Sequence, residues 1–181
     1  MKKLKVLIAT TAVIVMISSM AMAQAGNTAS GTLTVTATVN SSINLVFNSD
    51  AAGVALSSGA GTNSATLAFG NVSAFGAVAA NVTRTVVAGT SFTVSTPVDV
   101  LVSKANSSSA NYTLKAQLGS ADAVNTWQVG GNTVTNASAT TITATGAYGS
   151  NASEALAITV PFTTASGTNI SNTVNFTATS N

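Results

Sequence analysis

Between residues 32 and 39 the chain alternates without a break, with Thr32, Thr34, Thr36 and Thr38 on one phase of a two-residue period and Leu33, Val35, Ala37 and Val39 on the other. A period of two marks a β-strand with one polar and one apolar face, so a half-buried strand is expected here. The segment follows what reads as a secretory signal peptide over residues 1–23: Lys2, Lys3 and Lys5, an apolar run over 6–17, then Ala21-Met22-Ala23 as a small-x-small cleavage site. A strand at the front of an exported domain has two options. It pairs within its own sheet, or it leaves and completes the sheet of a neighbour.

β-like runs recur through the rest of the chain, over residues 43–47, 65–69, 82–87, 91–95, 98–102, 112–118, 127–129, 133–135, 140–145, 156–162 and 173–179. Gly, Asn and Ser punctuate them, and no helical period competes. The expected fold class is therefore all-β, an antiparallel β-sandwich or barrel. Val129-Gly130-Gly131-Asn132 predicts a tight hairpin, because paired glycines supply the positive φ angles of such a turn. Pro97 is expected at an edge, a bulge or a break between two strands, and Pro161 likewise, since proline brings no N–H to a ladder. Residues 48–64 read as a long loop with a short strand around 54–56. The predicted organisation is a signal peptide at 1–23, an extension or candidate donor strand at 24–40, and one sandwich domain at 41–181.

Composition narrows the function. The 158 residues after Ala23 hold only Arg84, Lys104, Lys115, Asp50, Asp99, Asp122 and Glu154 as charged side chains, a balance of −1. No basic footprint for nucleic acid follows. The apolar run of the presequence is too short to cross a bilayer and no later run approaches the ~20 residues required, so no membrane span is expected. Strands rich in Thr and poor in charge lack the usual guard against edge-to-edge pairing, which favours association between chains.

Histidine and cysteine are absent, which removes the usual general base, the thiolate nucleophile and the commonest metal ligands. The expectation is a non-enzyme without cofactor or metal. A carboxylate pair from Asp50, Asp99, Asp122 and Glu154 is the one catalytic arrangement still open, and Asn48-Ser49-Asp50 has atoms suited either to calcium or to turn capping. Trp127, Tyr112 and Tyr148 can be read as a sugar-stacking platform or as core, and the phase Tyr112 shares with Leu114, Ala116 and Leu118 favours core for that ring.

Three local patterns resemble the secreted spore coat U domain and the related archaic chaperone-usher pilus subunits. The first is Gly31-Thr-Leu-Thr-Val-Thr-Ala-Thr-Val39 followed by Ile43-Asn-Leu-Val-Phe47, the second is Leu67-Ala-Phe-Gly70, and the third joins Phe92-Thr-Val-Ser95 and Tyr112-Thr-Leu114 to the ending Gly167-Thr-Asn-Ile-Ser-Asn-Thr-Val-Asn-Phe-Thr-Ala-Thr179. The family's disulfide near the first strand has no counterpart here. The resemblance implies an immunoglobulin-like antiparallel β-sandwich completed by an N-terminal donor strand, and a structural subunit of a bacterial surface fibre, pilus or coat, exported to the periplasm or cell surface. It implies as partners other copies of the chain, in a head-to-tail homopolymer, and a periplasmic chaperone. The donor contacts are then Leu33, Val35, Ala37 and Val39. The alternative is a monomeric secreted sandwich that binds glycan or a surface protein through its loops, Trp127 and Tyr148.

Overall fold

A computed structural model describes residues 30–181, so the signal-peptide reading lies outside the described residues. The compact β unit is Val39–Asn181. Among the described residues it is all-β, with nine strands in two antiparallel sheets, as the alternating runs predict.

The first sheet is organised by β3 (Ser91–Ala105), whose residues Ser91–Leu101 pair with the whole of β8 (Asn151–Pro161) on one side. On its other side β1 (Ser42–Asn48) pairs with the carboxy-terminal half of β3 and β2 (Thr83–Val87) with the amino-terminal half. Beyond β8 come β5 (Thr126–Val129) and β6 (Asn132–Val134). The second sheet has the order β7 (Thr140–Ala147), β4 (Asn111–Leu118), β9 (Val174–Ser180). The β5–β6 hairpin turns on Gly130 and Gly131, both at positive φ (55° and 78°), so the turn forms where the paired glycines place it.

Three strand expectations are corrected. The runs at 91–95 and 98–102 are one strand that passes straight through Pro97. Proline is tolerated because its carbonyl, and hence its absent N–H, faces Gly53 in the gap between β2 and β1, where no ladder asks for a donor. Residues 54–56 and 65–69 form no strand; Val54 gives its N–H to the Thr96 hydroxyl (2.7 Å), and Thr66 makes an isolated bridge with Ser58. The third is the segment 32–39. Residues 30–41 contain no strand, and Leu33, Val35 and Val39 are 87, 79 and 73% exposed. Alternation supplies a pattern, whereas a strand also needs a partner.

The interior falls into two clusters along β3 and β4. One gathers Phe92, Val94, Ala116, Leu118, Trp127, Val129, Ile158 and Val160, and Val54, Phe69, Val72 and Ala74 from the 49–81 segment cover its flank. The other is Val100, Val102, Tyr112 and Leu114, flanked by Leu45, Phe47, Phe176 and Ala178. Tyr112 is fully buried and its ring lies across its cross-strand partner Gly146, where a Cβ would stand 2.2 Å from Cζ. Gly146→Ala should therefore lower stability by about 1–3 kcal/mol through overpacking, read as a lower urea midpoint. The buried Tyr112 hydroxyl has no hydrogen-bond partner among the described residues. Tyr112→Phe keeps the ring and removes that desolvated group, so it should leave the midpoint unchanged or raise it.

Candidate functional site

The two long sides of the sandwich differ. On the β6/β7 side the sheets are stitched together: Leu118 N–H donates to Thr135 O (3.0 Å), Gln117 Nε2 to Asn136 O (2.9 Å) and the Thr140 hydroxyl to Thr133 O (3.2 Å). On the other side β1 and β9 end their sheets without a neighbouring strand among the described residues, and a groove of about 440 Å³ opens between them. Ile43, Leu45, Phe47, Val174 and Phe176 line its apolar wall. The Phe47 and Phe176 rings meet edge-on at 5.2 Å, joining the two sheets. Asn44, Asn63, Thr173 and Asn175 add polar groups to the lining.

Main-chain groups face this groove from both sides. Alternate residues of an antiparallel strand bond to opposite edges. Phe47 donates its N–H to Thr62 O (2.8 Å) and accepts from Gly61 N (2.7 Å), on the side away from β3, so Ile43 and Leu45 turn their N–H and C=O groups to that same open edge. In β4, Leu118 bonds to Thr135 on the side away from β9, so its partner Val174 points outward, and Phe176 and Ala178 share that phase. The bonded phase is marked by Gly119 N–H to Thr173 O (2.8 Å) and Asn181 N–H to Asn111 O (3.0 Å). The groove thus offers what one more strand needs: main-chain donors and acceptors on both walls and apolar side chains at a two-residue spacing on the floor.

The sequence reasoning missed this side of the fold, although the phases of Ile43, Leu45 and Phe47 and of Val174, Phe176 and Ala178 are plain in the sequence. What it lacked was the knowledge that β1 and β9 are edges. It did single out the apolar phase Leu33, Val35, Ala37 and Val39, all of it exposed here.

The aromatic candidates lie elsewhere. Trp127 is only 5% exposed, its ring in the core and its indole N–H donated to Asp122 Oδ2 at 2.8 Å, so it presents no open face for a sugar. Tyr148 is half-buried against the Tyr112 ring at 5.3 Å; its hydroxyl donates to Asn111 O (3.1 Å), and Lys104 Nζ stands 5.0 Å above the ring centre.

Of the four carboxylates, Asp50 and Asp99 are neighbours. The Ser153 hydroxyl (2.6 Å) and the Ala52 N–H (2.7 Å) hold Asp50 below its ordinary pKa, while burial and the negative charge of Asp50 push Asp99 up. Ser49 accepts from the Leu56 N–H (3.0 Å) and Asn48 donates to Asn151 Oδ1 (3.1 Å), so the 48–50 segment spends its polar atoms on capping. Glu154 is buried within the sandwich and accepts from the Thr143 hydroxyl at 2.9 Å.

Asp122 anchors the turn before β5. Its partial burial opposes ionisation, but the N–H groups of Asn125 and Val124, the Trp127 indole and the Asn125 amide outweigh that and hold it down to about 2. No family model, curated protein or solved structure matches the chain.

A carboxyl lowered on folding stabilises the fold above its ordinary value of 3.8, and that contribution is withdrawn as pH falls through about 2. Asp122→Ala, which leaves the Trp127 N–H unpaired, should cost about 1–3 kcal/mol at pH 7. The gap between its urea midpoint and that of the parent should narrow as pH falls from about 4 to about 2; a gap independent of pH would show that the charge of Asp122 contributes nothing.

Proposed function

We propose that this chain is a non-enzymatic, exported structural subunit that assembles by strand donation, the 32–39 segment of one copy filling the β1/β9 groove of the next. The observation that carries the reading is a complementary pair within one chain. Residues 32–39 alternate Thr with Leu33, Val35, Ala37 and Val39 and take no strand conformation, while the groove is lined by apolar side chains and unpaired main-chain groups at the same two-residue spacing. Eight extended residues reach about 27 Å, about the length of the seven-residue strand β9.

The energy involved is large enough to couple folding to assembly. Burying Leu33, Val35 and Val39 contributes at most about 1.5–3 kcal/mol each, against a net stability of about 5–15 kcal/mol for a whole domain. Donation from each copy to the next is a heterologous, head-to-tail contact, and such contacts propagate into fibres. In this reading the sandwich is immunoglobulin-like and incomplete, as in the spore coat U and archaic pilus families that the sequence resembles. A periplasmic chaperone that lends a strand would occupy the same groove before assembly, and the polymer belongs at the bacterial surface.

The test is the solution mass of the exported chain, by light scattering on a sizing column, compared with a variant carrying a second copy of residues 31–40 after Asn181 through a short Gly-rich turn. Polymers from the parent and a stable monomer from the extended chain are expected. Two equally stable monomers would sink the subunit reading and return attention to ligands of the loops. On the same column Val35→Asp should abolish assembly and Thr34→Asp should leave it in place, because only the first puts a charge against the apolar floor; equal effects would contradict the assigned faces.

A further inference from the structure

We propose that the loop formed by residues 57–66 is the register stop of the groove, an inference that rests on the strand-donation reading above. The need for a stop is in the donor. A shift of one residue turns every side chain to the wrong face, but a shift of two keeps each Thr and each apolar residue on its own side. Leu33, Val35, Ala37 and Val39 are all apolar and the Thr phase is uniform, so a two-residue shift keeps the chemistry of both faces. The donor therefore specifies its face strongly and its position along the groove weakly.

The acceptor supplies what the donor lacks. Three β1 residues turn main-chain groups toward the open edge, and at the third, Phe47, both are already taken by Gly61 and Thr62. An incoming strand can bond to β1 only at Ile43 and Leu45 before it meets the loop, whose Asn63, Ser64 and Ala65 line the groove.

The loop is built to hold its place. Its neck is closed by Ser57 N–H to Thr66 O (2.8 Å) and Thr66 N–H to Ser58 O (3.0 Å). At its tip the Thr62 N–H donates to Gly59 O (3.0 Å), and the Thr62 hydroxyl lies 2.7 Å from Gly59 O and 2.8 Å from Ser64 O. Gly59 has φ +75°, and a Cβ there would stand 1.9 Å from Ser64 O, so a side chain at this position forces the tip apart. A tied loop across the end of an edge strand is a wall, whereas a loose one would yield to the strand.

The chain contains no cysteine, which makes register directly readable. Ile43→Cys on the groove wall is combined, in the full chain, with one of Leu33→Cys, Val35→Cys, Ala37→Cys or Val39→Cys, and mild oxidation is followed by non-reducing electrophoresis for bonds between copies. With the native loop one of the four pairs should cross-link. With Gly59→Val, or with the milder Thr62→Val that removes only the hydroxyl bonds, two or more positions spaced by two residues should do so. Trp127 fluorescence reports folding, and if Gly59→Val does not fold, Thr62→Val and the native loop decide. Several cross-linked positions with the native loop, or a single one whatever the loop, would overturn the stop while leaving strand donation intact. No cross-link at any position in any background would overturn strand donation itself, and the stop with it.

Discussion

The ladder between β3 and β8 is the interaction on which the rest of the sandwich hangs. It pairs Ser91 with Pro161 at one end and Leu101 with Asn151 at the other. Every second residue of β3 from Phe92 to Val102 is buried, so this one strand feeds both core clusters. Its opposite edge is shared between β2 and β1, and the change of partner falls at Pro97, the one position that has no N–H to lose. Thr96 closes the gap through its side chain, accepting from the Val54 N–H and donating to Asn81 O (2.7 and 2.9 Å). A residue that ordinarily ends a strand thus sits within the longest one, because the pairing around it leaves its donor position empty.

From that frame follows the asymmetry of the molecule. The half of β3 served by β2 has its flank covered by Val54, Phe69, Val72 and Ala74, which pack on the larger cluster. The half served by β1 has no comparable cover, and its cluster ends in Leu45, Phe47, Phe176 and Ala178, side chains that remain half-buried. The half-buried residues thus lie on both edges that face the groove, Leu45 and Phe47 on one and Phe176 and Ala178 on the other. A cluster of four fully buried residues with so broad a flank gains most from whatever covers it, since each covered side chain adds stabilisation in proportion to the apolar area removed from water.

Much of this was legible in the residues and some was not, for reasons that can be named. The all-β class, the Gly130-Gly131 hairpin and the strands around Ile43, Tyr112 and Phe176 follow from period and turn chemistry, which are local. The amino-terminal part of β8, Asn151-Ala-Ser-Glu-Ala155, reads as polar and was not expected as strand; it is one because the far half of β3 needs a partner, and Glu154 is buried as a result. Tertiary pairing overrode propensity there. The sequence leaves Trp127 open between ligand platform and core plug, and the choice turns on Asp122, five residues away, whose carboxylate satisfies the indole inside the fold. The groove itself belongs to sheet order, which no local pattern encodes.

Charge placement ties the open side to the composition. Exposed edges are ordinarily protected by charged residues, proline or a covering segment. β2 carries the domain's one arginine, and Arg84 ties the neighbouring loop over that region through Ser73 O and Gly76 O, both at 2.9 Å. β6 is three residues long and stitched to the second sheet. β1 and β9 read Ser-Ile-Asn-Leu-Val-Phe-Asn and Val-Asn-Phe-Thr-Ala-Thr-Ser, without a charge or a proline between them. β7 reads Thr-Thr-Ile-Thr-Ala-Thr-Gly-Ala and also carries neither charge nor proline, but it lies on the side tied to β6 through Thr140 and Thr133 O, whereas the pair facing the groove has only the bridge that closes β1 at Phe47. In a chain with so few charges, the bare β1 and β9 edges turn unguarded main-chain groups toward one shared groove, the arrangement that charged edges ordinarily prevent.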